Sequence, residues 1–110
     1  MTLTAPPSAS GKVYAEYDFA STISISNHTD LILKVSAQGS GSTSGVYIMF
    51  NSGKSVLETF AGPSVYAVDL SQFAGEQPTF MLLYVFLPQV AAGTDVSYSV
   101  SYGWIMLANG

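Results

Sequence analysis

From Lys12 to Leu107 the apolar residues recur in twos. Val13, Ala15, Tyr17 and Phe19 alternate with Tyr14, Glu16 and Asp18, and Ile23 and Ile25 alternate with Thr22, Ser24 and Ser26. Leu31, Leu33, Val35 and Ala37 then alternate with Ile32, Lys34 and Ser36. A period of two belongs to pleated strands, whose successive side chains point to opposite faces. Turn chemistry interrupts it at Asn27–Asp30, Asn51-Ser52-Gly53, Ala61-Gly62-Pro63 and Pro88–Thr94. The remaining strands are expected over Val46–Phe50, Ser55–Phe60, Ser64–Leu70, Thr79–Leu87 and Asp95–Leu107, with a helical turn inside Ser71–Gly75. No amphipathic helix is expected.

Short strands at this spacing predict an all-β chain, a two-sheet antiparallel β-sandwich of jelly-roll type with about eight strands. An immunoglobulin-like sandwich fits less well, because the Cys–Trp–Cys pattern of that fold is missing. With 110 residues and no cysteine, a single domain with one hydrophobic core is expected over residues 12–110. Residues 1–11 (MTLTAPPSASG) are rich in Pro, Ser and Thr and read as a linker or extended N-terminal arm. The segment Met1–Pro7 has neither the charged nor the apolar region of a signal peptide.

Thr79–Leu87 is apolar on both faces, which predicts a central strand. In the last strand, Val96, Tyr98, Val100, Tyr102, Trp104 and Met106 share one face, opposite Ser97, Ser99, Ser101 and Gly103. The serine-rich opposite face favours the core for the Tyr98–Tyr102–Trp104 stripe, the other reading being an exposed aromatic stripe that stacks a ligand. Phe19, Phe50, Phe60, Phe80 and Phe86 are assigned to the core or an interface. Gln38–Gly45 (QGSGSTSG) is expected to be an exposed loop.

Charge removes several function classes. Charged residues make up 9% of the chain, against about 25% in an ordinary domain. The only cations are Lys12, Lys34 and Lys54, against seven acids, for a net charge of −4. Three scattered lysines cannot neutralise a nucleic-acid backbone or draw the chain to anionic lipid. No apolar run approaches the roughly 18 residues a membrane-spanning helix needs.

Catalysis finds little support. The single histidine, His28, sits in a turn cluster, and no G-x-S-x-G elbow accompanies the sixteen serines. Glu16 and Asp18 lie roughly 6.6 Å apart along one strand face, a spacing that solvated surface acids explain as well as a glycosidase pair does. The chain reads as a non-enzyme. A structural calcium ion would draw on Glu16, Asp18, Asp69 and Asp95, the acids near strand ends, since calcium takes six to eight oxygens. Asn27-His28-Thr29 has the form of an N-glycosylation acceptor.

Three segments resemble the galactose-binding-like jelly rolls, the fold of many carbohydrate-binding modules. They are the opening strand Val13-Tyr14-Ala15-Glu16-Tyr17, the strand-to-turn segment Val68–Gly75 and the closing strand Gly103-Trp104-Ile105-Met106-Leu107. Family members often place an Asp before the closing Trp, where this chain has Gly103. The resemblance implies a lectin-like, non-catalytic module of a larger extracellular protein. Its glycan would stack on exposed rings beside polar partners, and Tyr14, Glu16, Asp18, Tyr47, Tyr66 and Trp104 form the candidate set. The alternative is a structural component of a virion or surface assembly, such as a capsid, tail-fibre or spike jelly roll. Such a protein would bury its excess apolar surface in a homo-oligomer, for example a trimer. A weaker third expectation is lipid contact through Leu82, Leu83 and Phe86.

Overall fold

A computed structural model describes residues 2–5, 12–19, 25–39, 42–86 and 98–109. Eight strands follow one another: β1 (Thr2–Ala5), β2 (Lys12–Asp18), β3 (Thr29–Gln38), β4 (Thr43–Phe50), β5 (Ser55–Phe60), β6 (Ser64–Asp69), β7 (Pro78–Phe86) and β8 (Tyr98–Asn109). A 3-10 turn, Ser71–Phe73, joins β6 to β7. One sheet has the order β1-β8-β3-β6 and the other β2-β7-β4-β5, with every pair antiparallel. The pairs β1–β8, β2–β7, β3–β6 and β4–β5 are those of one long folded ribbon, dealt alternately to the two sheets. Rolling the ribbon up adds the contacts β3–β8 and β4–β7. This is a jelly-roll-like β-sandwich, as the alternation predicts.

The core is the facing set of inward side chains. Leu31, Leu33, Val35, Val68, Val100 and Tyr102 come from one sheet, and Val46, Ile48, Phe50, Phe60, Met81, Leu83 and Val85 from the other. Ile25, Leu70 and Phe73 join the same cluster, with Phe73 stacked on Phe50 at a ring separation of 4.2 Å. Ile25 is held by the loop before β7, donating its N–H to Glu76 O and accepting from the N–H of Gly75. The hairpin between β4 and β5 turns through Asn51-Ser52-Gly53, where Gly53 adopts φ 91°, a left-handed conformation that favours glycine.

Three local expectations are corrected. The first concerns β8. Leu33 pairs with Ile105, but two residues on, Val35 pairs with Tyr102, so β8 carries one residue too many around Gly103–Trp104. A compensating irregularity follows on β3 between Val35 and Ala37. A bulge shifts the alternation by one and re-aims the side chains beyond it. Val100 and Tyr102 therefore stay in the core, Ile105 and Leu107 turn inward, and Trp104 and Met106 face out at 44% and 52% exposure. Trp104 is a surface residue. The β3 irregularity likewise leaves Ala37 exposed instead of inward.

The second correction is the QGSGSTSG segment. Its end already belongs to β4, and Ser42, Ser44 and Gly45 are buried. Burial is possible because the serines are satisfied: Ser42 Oγ donates to Gly39 O (2.5 Å) and Ser44 Oγ to Gln38 Oε1 (2.8 Å), while Gln38 Nε2 donates to Ser42 O (2.8 Å). The third concerns β7, which is central as expected. Its outward residues Phe80 and Phe86 are half-buried on the outside of the sandwich, while Leu83 is wholly inside.

Candidate functional site: an aromatic sheet face

Register decides what the outer face of the β2-β7-β4-β5 sheet presents. Tyr14, Glu16 and Asp18 on β2 lie opposite Tyr84, Leu82 and Phe80 on β7. Gly45, Tyr47 and Met49 on β4 lie opposite Tyr84, Leu82 and Phe80 from the other side. Beyond them, Leu57 on β5 opposes Tyr47. Alternation puts all of these away from the core, so the outer face is a continuous field of aromatic and aliphatic side chains. Acids border it along β2.

The rings are in contact. Tyr14 meets Tyr84 edge-on at 5.8 Å, Tyr84 stacks on Phe86 at 4.8 Å, and Tyr47 lies 6.2 Å from Phe80. Phe86 lies across Gly45: a Cβ at that position would stand 2.5 Å from the ring and 3.0 Å from the Glu58 carbonyl. Glycine there lets the ring lie down on the sheet. Tyr84 is covered by these neighbours and only 5% exposed, whereas Tyr14 and Leu57 remain 54% and 53% exposed. Burial first, and then the neighbouring Tyr47 and Tyr14 phenols, raises the Tyr84 hydroxyl above its ordinary range.

Tyr102 anchors this face from behind. Its hydroxyl crosses from the other sheet, donates to Tyr84 O (2.7 Å) and accepts from the N–H of Gly45 (3.2 Å). Gly45 and Tyr84 face each other across β4 and β7, so one phenol ties both strands to β8. Burial pushes the Tyr102 hydroxyl up to about 12 against the lowering effect of its main-chain bonds to Gly45 and Tyr84.

Of the candidate ligand residues, Tyr14, Glu16, Asp18 and Tyr47 thus share one face. Tyr66 and Trp104 lie on the other sheet. Tyr66 stacks on Phe60 at 4.4 Å and donates its hydroxyl to Gly62 O (2.5 Å), while Trp104 faces outward at the bulge. The candidate calcium ligands are divided in the same way. Glu16 and Asp18 face out from the β2-β7-β4-β5 sheet, and Asp69 faces out from β6 beside Asp30. The Ser71 main-chain N–H (2.8 Å), and then the Ser71 hydroxyl, hold the Asp69 carboxyl below the usual carboxylate range. Asp95 lies outside the described residues. Among those described, no group of three or more His, Asp or Glu side chains gathers as for a metal ion. Likewise, no helix among them is long and apolar enough to cross a membrane.

The wider field of Phe80, Leu82, Tyr84, Phe86, Met49 and Leu57 escapes a search for ring-and-acid sugar sites. Its signal was the doubly apolar β7: once that strand is central in a two-sheet sandwich, half of its residues must face away from the core. Recesses also lie elsewhere among the described residues. An apolar cleft of about 390 Å³ is lined by Tyr17, Phe19, Leu31, Met81, Ile105, Met106 and Leu107. A polar one of about 340 Å³ is lined by Asn27, His28, Asp30, Asp69 and Ser71. No protein-family model, curated protein or solved structure matches the chain.

Proposed function

We propose that the chain is a non-catalytic structural module that assembles by packing the outer face of the β2-β7-β4-β5 sheet against a second copy. One observation carries this reading: β7 is apolar on its outward side as well as its inward side, and Tyr14, Tyr47, Met49 and Leu57 extend that apolar surface over the neighbouring strands. An antiparallel sheet with one wet face ordinarily alternates apolar-in and polar-out. A strand apolar on both sides has the composition of one covered on both sides, and contiguous exposed apolar patches mark interaction surfaces. Jelly rolls recur in capsids and other assemblies, an analogy of fold alone. The low charge suits packing against like copies, with little repulsion to overcome.

Sedimentation velocity across a concentration series tests the proposal. The wild-type mass is expected to rise to a dimer or trimer, and the double variant Tyr14→Lys, Leu57→Lys to stay monomeric. A wild-type chain that remains monomeric at about millimolar concentration overturns it.

A second reading uses the same face. Tyr14 is the most exposed ring there, with Glu16 two residues along the same strand face. A flat ring beside a hydrogen-bonding acid suits the C–H face and hydroxyls of a sugar, which supports a glycan-binding module. Affinity electrophoresis against a panel of plant, bacterial and host polysaccharides separates the two: retardation abolished by Tyr14→Ala favours glycan binding, and no retardation with any polysaccharide rejects it.

A further inference from the structure

The turn that leads into β3 holds Asn27-His28-Thr29, the acceptor form for N-linked glycosylation, and of the asparagines in the chain Asn27 alone lies in such a tripeptide. Ser26, Asn27, His28 and Thr29 form a β-turn, closed by the Thr29 N–H on Ser26 O (3.3 Å). An asparagine in a turn ordinarily supplies a left-handed backbone or a side-chain bond to the chain nearby. Asn27 does neither. Its φ is not positive, and its side-chain amide makes no hydrogen bond among the described residues. Ser26 and Thr29 hold the turn instead. Thr29 Oγ1 accepts from the Ser26 N–H (2.9 Å) and shares a hydrogen bond with Ser26 Oγ (3.0 Å), which also accepts from the His28 N–H (3.1 Å).

We propose that Asn27 is the acceptor of an N-linked glycan, transferred before this turn closes, whose first sugar then sits in the polar recess of about 340 Å³ lined by Asn27, His28, Asp30, Asp69 and Ser71. The donor is an oligosaccharide linked through pyrophosphate to a lipid. The Asn27 side-chain nitrogen attacks the anomeric carbon of its first sugar. A C–N bond forms, the anomeric C–O bond breaks, the lipid pyrophosphate leaves and the nitrogen loses one proton. Thr29 fixes the order of events. A transferase reads the hydroxyl two residues after the asparagine, and in the folded chain that hydroxyl is engaged with Ser26 on a residue only 2% exposed. The tripeptide is therefore readable only while this segment is unfolded. Once the turn has closed, Asn27 remains exposed at its corner, beside the recess.

The chemistry of the recess suits a sugar. Asp30 and Asp69 are directly opposed across β3 and β6, and like charges in that arrangement cost stability. Both carboxylates accept hydrogen bonds. The hydroxyl and acetamido donors of the first sugar would lie against them and offset the repulsion, with His28 and Ser71 as further partners. β3 and β6 belong to the β1-β8-β3-β6 sheet, so a glycan here leaves the outer face of the β2-β7-β4-β5 sheet open. The proposal does not rest on the assembly reading, and the two succeed or fail independently.

Expression of the full chain in a human cell line behind a cleavable secretory leader tests the proposal, with cells and medium both examined. Most of the wild type is expected as a single heavier species that peptide N-glycosidase returns to the mass of the bare chain. Asn27→Gln, a change at an exposed side chain, is expected to give only the bare chain, and Thr29→Ser to keep the heavier species. Folded chain prepared without glycan, then mixed with transferase and lipid-linked donor, should stay bare. Thermal unfolding reads the seating of the sugar: the glycosylated wild type should melt at a higher temperature than Asn27→Gln, and Asp30→Asn together with Asp69→Asn should narrow that gap. A wild type that remains bare in cells and medium overturns the proposal. Transfer to the folded chain as complete as transfer in cells overturns the order of events, and equal melting of wild type and Asn27→Gln overturns the place of the sugar in the recess.

Discussion

β7 and β8 are both interior strands of their sheets, and they display apolar residues to solvent for different reasons. β7 keeps strict alternation from Phe80 to Phe86: Met81, Leu83 and Val85 enter the core, and Phe80, Leu82, Tyr84 and Phe86 cover the outside. β8 breaks its alternation at Gly103–Trp104, so that one continuous stripe in the sequence is split between the core and the surface. Outward apolarity on β7 is written into composition, because there are too many apolar residues for one face. On β8 it is created by backbone geometry. The first is a broad field steadied by ring contacts, the second a narrow ridge of Trp104 and Met106.

The two sides of β7 give the largest measurable contrast. Leu83 is 1% exposed in the middle of the core. Leu83→Ala should cost about 3 kcal/mol in urea unfolding, from lost transfer energy and the cavity left behind. Leu82→Ala, one residue along but on the outer face, should cost less than about 1 kcal/mol at concentrations where the chain is monomeric. Equal losses would mean that the outward side of β7 is as fully packed within one chain as the inward side, and the face would lose its claim to a partner.

Gly45→Val tests how the aromatic field is laid down. The new Cβ would meet the Phe86 ring and the Glu58 carbonyl, and the carbonyl, being backbone, cannot swing aside. A cost of about 2 kcal/mol is expected from the overpacking, together with loss of the Tyr84–Phe86 stack. Near-neutral stability would show that Phe86 moves off the sheet freely, leaving a looser face.

Strict alternation is the part of this molecule that a sequence displays openly. Leu31-Leu33-Val35 and Val46-Ile48-Phe50 enter the core, and β7 is central, because each follows from a period of two and from the shortage of polar residues. The β8 bulge is not legible in that way. Gly103 permits it without demanding it, and the serine-rich opposite face makes the unbroken stripe look like core. Buried serines are equally hidden, since Ser42 and Ser44 owe their burial to partners such as Gly39 and Gln38 whose proximity depends on the chain path. The candidate site was legible where it rested on β2 and β4, at Tyr14, Glu16, Asp18 and Tyr47. Tyr66 and Trp104 lie on β6 and β8 of the other sheet, and residue type alone does not say which sheet a ring belongs to.

Tyr102 links the two strands, rising from β8 to hold β7 and β4. Tyr102→Phe keeps the ring and removes the bond to Tyr84 O, and a loss of about 1–2 kcal/mol is expected. The pH dependence has a definite sign. With its hydroxyl raised to about 12, the folded chain keeps a proton that the unfolded chain releases near pH 10. The contribution is therefore whole below about pH 10 and declines as pH rises toward 12. Thermal unfolding of the wild type should weaken across that window, and Tyr102→Phe should show a shallower decline. An unchanged slope would assign the alkaline loss to other tyrosines, Tyr84 first among them.

The smallest effect in energy is the most direct on geometry. Trp104 is the only tryptophan in the chain and is 44% exposed, so Trp104→Ala should change monomer stability by no more than about 0.5 kcal/mol. Its fluorescence should be red-shifted and readily quenched by acrylamide and iodide in dilute solution. An unbroken stripe would place the indole beside Val100 and Tyr102, shielded and blue-shifted at every concentration. An indole shielded even in the dilute monomer would remove the bulge, and with it the distinction between a strand apolar by composition and one made so by its backbone.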